Sequence, residues 1–151
     1  MAHRIVLTSP LQAAAEEYLF RGYLLQALGS MVATPWFGVV VSSLLFALFH
    51  GSQNLPLFLN RLAFGLLAAV LVLKTGGLEA GIAAHIVNNI SAYTAAALTT
   101  SIASLRGVDE ITWAASALNI AGFALFTAAA ILIARRLRLN TTTPTITQET
   151  S

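Results

Sequence analysis

Three stretches of the chain contain no Asp, Glu, Lys or Arg: residues 22–49, 80–105 and 111–134. Each is longer than the roughly 20 residues that an α-helix needs to cross the hydrocarbon core of a bilayer. The chain of 151 residues is 57% hydrophobic and only 9% charged, whereas an ordinary soluble domain is about 25% charged. The sequence therefore predicts an integral membrane protein whose partners include membrane lipids.

The composition also excludes several classes of function. The chain has no Cys, so any chemistry must use Glu, His, Asn, Ser or Thr rather than a thiolate or a Cys-bound metal. Its basic residues do not form the clusters with interleaved aromatic side chains that nucleic-acid binding requires. We therefore expect no nucleic-acid partner.

Apolar segments separated by turn signals predict an all-α polytopic transmembrane bundle of about five hydrophobic helices. Thr8 or Ser9 followed by Pro10 is typical of a helix start, and Gly, Pro and short polar clusters mark the later breaks. The predicted helices cover residues 9–29, 36–50, 57–74, 78–99 and 111–134. Residues 1–9 are then an N-terminal segment, residues 10–138 the membrane domain, and residues 139–151 a Thr-rich tail with a disordered composition.

The basic cluster Arg135-Arg136-Leu137-Arg138 sets the expected orientation, because positively charged segments next to membrane helices stay in the cytoplasm. Counting back through the helices places Lys74 and the Gly76-Gly77 turn on the cytoplasmic side. It places the 100–110 loop outside, where Arg106 mildly opposes the assignment. The C-terminus is expected in the cytoplasm.

A few ionisable side chains lie inside these apolar segments, at an insertion cost of roughly 2.5 to 3.5 kcal/mol each. They are Glu16, Glu17, Arg21, His50, Arg61 and His85. Glu17 and Arg21 are four residues apart, which favours an ion pair on one helical face. Glu16 is rotated by about 100° from Glu17, so it points elsewhere and is left without that partner.

The two histidines add groups that exchange protons near neutral pH, and the carboxamide of Asn89, one turn after His85, can donate to an oxyanion. Together with Glu16 they form a set able to activate water and hydrolyse an amide. Simpler interpretations remain open for each residue. The acids can belong to an interfacial helix, His50 can be structural, His85 can bond between helices, and Arg61 can be a snorkelling or packing residue.

Three short patterns follow one another on successive hydrophobic helices: Glu16-Glu17-x-x-x-Arg21, Phe46-x-x-x-His50 and His85-x-x-x-Asn89. In this order and at these separations they resemble the CPBP family of intramembrane proteases. That family includes CAAX prenyl endopeptidases of the Ras-converting type and bacterial proteins linked to bacteriocin processing or self-immunity. The resemblance covers residues 10 to about 98 and implies that residues 10–138 form a protease domain.

The resemblance implies an endopeptidase that hydrolyses peptide bonds in a membrane-associated or lipidated peptide or protein. It implies that Glu16 with His50 activates the attacking water, while His85 and Asn89 stabilise the oxyanion. We expect the chain to lie in a bacterial cytoplasmic membrane around a polar intramembrane site.

This mechanism needs no cofactor, but a catalytic Zn²⁺ remains an alternative, with Glu16, His50 and His85 as its protein ligands. The chain lacks the H-E-x-x-H helix that pre-positions two ligands and a base, which favours the metal-free glutamate mechanism. The resemblance also implies that Glu17 and Arg21 form a supporting pair that holds the first helix and its carboxylate in place.

The predicted topology restricts where Glu16, His50 and His85 can meet. Glu16 and His50 lie in the outer halves of their helices, whereas His85 lies nearer the inner face. They can meet only near the middle of the membrane, or if the first helix is broken or displaced. Two other functions stay open: a non-enzymatic immunity or scaffold protein with a protease-like fold, and a small ion or proton carrier that uses the same buried groups.

Overall fold

In the computed structural model, the described residues are 2–99 and 110–141, and most of them are helical. The elements in chain order are α1 (Ala2–Glu17), a π-helical segment (Tyr18–Leu24), α2 (Leu25–Ser30), α3 (Pro35–Leu48), α4 (Leu55–Thr75), α5 (Glu79–Thr99) and α6 (Trp113–Arg136). Because α1, the π segment and α2 are continuous, these ranges contain five helices in space and no strand. The predicted all-α fold is confirmed. The predicted 100–110 loop and Thr-rich tail fall almost entirely outside the described residues.

The first helix is longer than predicted, because it begins at Ala2 rather than near residue 9. Pro10 lies inside it, and Ser9 is buried instead of capping an exposed helix end. A proline in a helix removes one backbone hydrogen bond, and here the turn before it remains helical. Glu16 therefore lies near the middle of the helical stretch 2–30 and not near its outer end.

The helix changes its hydrogen-bond pattern immediately after the two adjacent acids. Residues Tyr18–Leu24 form a π-helix, and the backbone N–H of Leu25 donates to the carbonyl of Phe20 five residues earlier. Wider turns of this kind are rare, shift the direction of the side chains that follow, and are frequent at functional sites. Arg21 lies within the segment and is buried.

Two of the described helices, α4 and α6, are long and apolar enough to cross a membrane, and α3 is apolar but shorter. α4 has 21 residues and α3 has 14, which correspond to about 32 and 21 Å. Asn54 caps α4 by accepting from the N–H of Leu57 at 3.1 Å, and the helix ends at Gly76, whose φ is +79°. This architecture is consistent with the predicted membrane protein.

Small residues let α3 pack closely between α2 and α4. A Cβ atom added to Gly38 would clash with the carbonyl of Leu25 on α2. A Cβ atom added to Gly65 on α4 would lie 2.9 Å from the Cβ of Ser43 on α3. Both contacts would be closer than the Cβ atoms of real side chains come to other atoms, so these glycines set the spacing of the three helices.

The remaining contacts fix the directions of the helices. Gly22 lies against Leu78 at the start of α5, and Glu17 lies against Gly81, so the first helix and α5 are antiparallel. α6 runs parallel to α4, because the Asn54 side chain bonds the backbone of Ile111 near the start of both helices. Further along the same pair, the rings of Phe64 and Phe123 are 4.8 Å apart.

Candidate active site

The structure brings together one acid and two imidazoles from three parts of the chain. Glu16 lies on α1, His50 follows the last turn of α3, and His85 lies in the second turn of α5. Glu16 Oε2 is 3.7 Å from His50 Nε2 and 3.6 Å from His85 Nε2. This oxygen is shielded from solvent and has no hydrogen-bond partner among the described residues. A buried polar atom without a partner is costly and is often a sign of a catalytic role or a bound water.

Hydrogen bonds on the far side of each imidazole fix which nitrogen carries the proton. His50 Nδ1 donates to the carbonyl of Phe46 at 2.6 Å, because a carbonyl can only accept. His85 Nδ1 donates in the same way to Glu17 Oε1 at 2.9 Å. In the neutral form both rings then present the lone pair of Nε2 to Glu16 Oε2. The three atoms form a set of proton acceptors around one point.

Glu17 is a fully buried carboxylate that joins two elements. Its Oε1 accepts from Arg21 Nη1 at 3.1 Å and from His85 Nδ1 at 2.9 Å, and both partners of the ion pair are 0% exposed. The contact between Glu17 and Arg21 is the one that their spacing predicts. The bond to His85 was not predicted, because the two residues are 68 positions apart and share no local pattern.

Aromatic rings surround the charged groups. The Arg21 guanidinium lies over the Phe46 ring, 4.3 Å from its centroid, an arrangement that stabilises a desolvated cation by about 2 kcal/mol. The Phe46 ring also contacts the rings of His50 at 4.5 Å and His85 at 5.7 Å, and the Phe64 ring lies 4.8 Å from His85. These rings exclude water from the inner side of the site and hold the imidazoles in place.

Comparison with known proteins identifies the family. Residues 2–91 match the family described as type II CAAX prenyl endopeptidase Rce1-like. The chain belongs to this Rce1-like family. The match covers Glu16, Glu17, His50 and His85 and extends through Asn89. The match lends no support to a role in bacteriocin immunity.

A curated relative of this Rce1-like chain is the "Uncharacterized protein YyaK" of Bacillus subtilis (strain 168), which is 34% identical over 87 residues. The match covers 54% of this chain and 29% of the relative, so the matched region is less than a third of that protein. No solved structure matches the chain significantly.

Two further polar residues, Asn89 and Gln12, lie on the helices that carry the Rce1-like site, and the sequence predicted only the first. Asn89 lies one helical turn after His85 on the same face of α5 and is half-buried. Gln12 was not predicted: its Nε2 donates to Glu16 Oε1 at 2.8 Å. The signal for Gln12 was available, because residues four apart on a helix are neighbours. Glu16 thus has one oxygen held by Gln12 and the other facing the imidazoles.

Arg61, for which the sequence suggests a snorkelling or packing side chain, packs against the loop after α3. Its Nη1 donates to Gln53 Oε1 at 2.7 Å and to the carbonyl of His50 at 3.4 Å. Gln53 in turn donates to the carbonyl of Ala47 at 2.7 Å. These bonds tie the loop after α3 to both neighbouring helices and hold the backbone of His50.

The alternative of a catalytic zinc finds no support in the described part of the chain, where no group of three His, Cys, Asp or Glu side chains is arranged to hold a metal ion. We derive no step of the reaction through a metal.

Proposed function

We propose that this chain is a metal-free intramembrane endopeptidase that hydrolyses peptide bonds of membrane-associated substrates. The observation that supports it most directly is the unpartnered Glu16 Oε2 between two imidazole nitrogens. A water molecule bound at this point can donate to the carboxylate and to an imidazole at once. Family membership supports a protease in general, and this geometry supports the assignment of roles.

In the proposed reaction, Glu16 and His50 take a proton from water as its oxygen attacks the carbonyl carbon of the substrate. The same proton passes to the amide nitrogen as the C–N bond breaks, so no covalent intermediate with the protein forms. Gln12 holds the other oxygen of Glu16 and His50 is held by the Phe46 carbonyl. Both groups are therefore fixed before the substrate arrives, which lowers the reorganisation needed at the moment of attack.

The developing oxyanion is assigned to His85 and Asn89. With Nδ1–H bonded to the Glu17 carboxylate, the Nε2 of His85 faces the site, and in the protonated ring it donates to the substrate oxygen. The carboxamide of Asn89, on the same face of α5, supplies a second donor. In this role Glu17 accepts hydrogen bonds from His85 Nδ1 and Arg21 Nη1, and these bonds fix the direction in which the His85 ring faces.

The experiment that tests the proposal is cleavage of a panel of membrane-anchored peptides, with free and lipidated C-termini, by the purified protein in proteoliposomes. Products are identified by mass. Glu16→Gln keeps the shape of the side chain but removes the base, so we expect kcat to fall by about 10²- to 10⁴-fold. Glu79→Gln, which changes a carboxylate outside the site, is the matched control.

Full activity in Glu16→Gln would exclude Glu16 as the base. Activity lost in strong chelator and restored by Zn²⁺ would instead favour the metal version. A non-enzymatic role is supported by two results together: the folded wild-type protein cleaves none of the peptides, and cells that produce the Glu16/His50 double variant behave like cells that produce the wild type.

A further inference from the structure

His50 differs from Glu16 and His85 because it does not lie within a helix. It follows the end of α3 at Leu48, in the loop of residues 49–54 that leads to α4. Its ring must nevertheless stay where Nε2 is 3.7 Å from Glu16 Oε2. Loops move more than the helices that they connect, so the position of this imidazole depends on what holds the loop.

The loop is bonded to the end of α3 that precedes it. The carbonyls of the last four residues of α3 all accept a hydrogen bond from residues 49–53: Leu45 from Phe49 N–H, Phe46 from His50 Nδ1, Ala47 from Gln53 Nε2 and Leu48 from Gly51 N–H. A carbonyl at membrane depth needs such a partner, because lipid offers none. Two of the four donors are side chains, those of His50 and Gln53.

Arg61, in the second turn of α4, bonds the same loop from the other side. Its Nη1 donates to Gln53 Oε1 at 2.7 Å and to the carbonyl of His50 at 3.4 Å. One nitrogen therefore contacts both the backbone of His50 and the side chain that closes the end of α3. The guanidinium also brings a positive charge to the C-terminal end of α3, where the helix dipole favours a cation.

We propose that Arg61 and Gln53 form a clamp that positions His50 beside Glu16, which makes Arg61 a positioning residue of the site. The clamp holds the backbone of His50, while the Phe46 carbonyl holds its ring. The effect of the clamp on hydrolysis rests on the proposed function, whereas the clamp itself does not. Displacing a reacting group by about 1 Å can cost roughly 10²-fold in rate, so losing the clamp lowers kcat. KM stays the same, because Arg61 acts on the loop and not on the substrate.

Steady-state cleavage in proteoliposomes tests the effect on the reaction. We expect Arg61→Met and Gln53→Leu each to lower kcat by about 10- to 100-fold, with KM changed by less than about twofold. The double variant should lose no more than the worse single variant, because both side chains act through one contact. Arg61→Lys keeps a charged donor and should raise kcat at least about threefold above Arg61→Met. Lys74→Met, which removes an exposed cation from the last turn of α4, is the matched control and should leave kcat unchanged.

Amide hydrogen exchange of the purified full chain, read by mass spectrometry, tests the clamp without any reaction. The N–H groups of Phe49 and Gly51 are bonded to α3, so their exchange reports how often the loop opens. In Arg61→Met we expect exchange across residues 48–54 to be at least about tenfold faster than in the wild type, with exchange in α6 unchanged.

Unchanged exchange across residues 48–54 in Arg61→Met would overturn the clamp, as would exchange that is faster throughout the chain, which would indicate general destabilisation. A raised KM with kcat unchanged would assign Arg61 to substrate binding and would also contradict the proposal. If the wild-type protein cleaves no peptide, the proposed function fails, and the exchange measurement still decides whether the clamp exists.

Discussion

The buried ion pair between Glu17 and Arg21 makes a quantitative prediction that separates a supporting role from a catalytic one. The charged atoms are 3.1 Å apart and fully buried. Their attraction is about 5 kcal/mol at an effective dielectric constant of ~20, and it is offset by the cost of removing both groups from water. The pair therefore adds little net stability, but either charge alone would be left buried and uncompensated.

We expect Glu17→Gln and Arg21→Met each to lower the free energy of unfolding by about 3 to 5 kcal/mol, the cost of breaking a buried pair. The double variant should lose much less than the sum of the two, because no unpaired charge remains and Met fills part of the space between the rings. The coupling free energy should be at least about 2 kcal/mol. Reversible unfolding in mixed micelles, followed by circular dichroism, measures all three variants.

This reasoning would be refuted if the double variant lost as much free energy of unfolding as the two single variants together. In that case neither charge would depend on the other. Glu16→Gln provides the contrast. Its Oε2 has no partner among the described residues, so neutralising it should leave stability unchanged or raised while activity is lost. Glu79→Gln should change stability by less than about 1 kcal/mol, as for an acid at a helix start.

Three further predictions concern packing and positioning. Gly38→Ala should lower stability by about 1 to 3 kcal/mol because its Cβ meets the backbone of α2, whereas Gly122→Ala, with open space around it, should be neutral or stabilising in the same thermal melt. Gln12→Ala removes the donor to Glu16 and should lower kcat by about tenfold, with KM unchanged in steady-state kinetics; an equal rise in KM would assign Gln12 to substrate binding. Asn54→Ala removes the cap of α4 and both hydrogen bonds to Ile111, so we expect the free energy of unfolding to fall by about 2 to 3 kcal/mol. Asn54→Asp keeps the acceptor and should lower it by about half of that amount, as measured by chemical unfolding.

Helix positions were predicted well where local signals are strong. α4 was expected at 57–74 and occupies Leu55–Thr75, bounded by Asn54 and by Gly76 with its positive φ. α6 was expected at 111–134 and occupies Trp113–Arg136. The pair of Glu17 and Arg21 was predictable for the same reason, since a spacing of four residues places them on one helical face.

The first helix and the bond between Glu17 and His85 were beyond local reasoning. Pro10 looks like a helix start, but nothing near it shows that the preceding turn is helical as well. The π segment has no residue signature, and it changes the direction of the side chains after Tyr18. The bond to His85 depends on how α1 and α5 pack, which the sequence pattern does not specify.

The earlier start of the first helix also removes the conflict in the predicted topology. With the helix beginning at Ala2, Glu16 is about 21 Å along it, at a depth that His85 can reach from the second turn of α5. α3 ends at Leu48, short of the end of the bundle where α1 and α4 begin, so His50 lies at the same level. The first helix continues past the site, with a change to π-helical hydrogen bonding directly after Glu17.

Adjacent positions on this helix explain why two neighbouring acids can have different roles. A rotation of about 100° per residue directs Glu17 toward Arg21 and His85, where it is fully buried and its Oε1 accepts two hydrogen bonds. The same rotation leaves Glu16 20% exposed and facing His50. A proton acceptor must be reachable by water, whereas a group that holds an imidazole in one tautomer is best kept dry. The order of the doublet therefore matters: if Glu17, rather than Glu16, were the base, its bonds to Arg21 and His85 would have to break before each reaction.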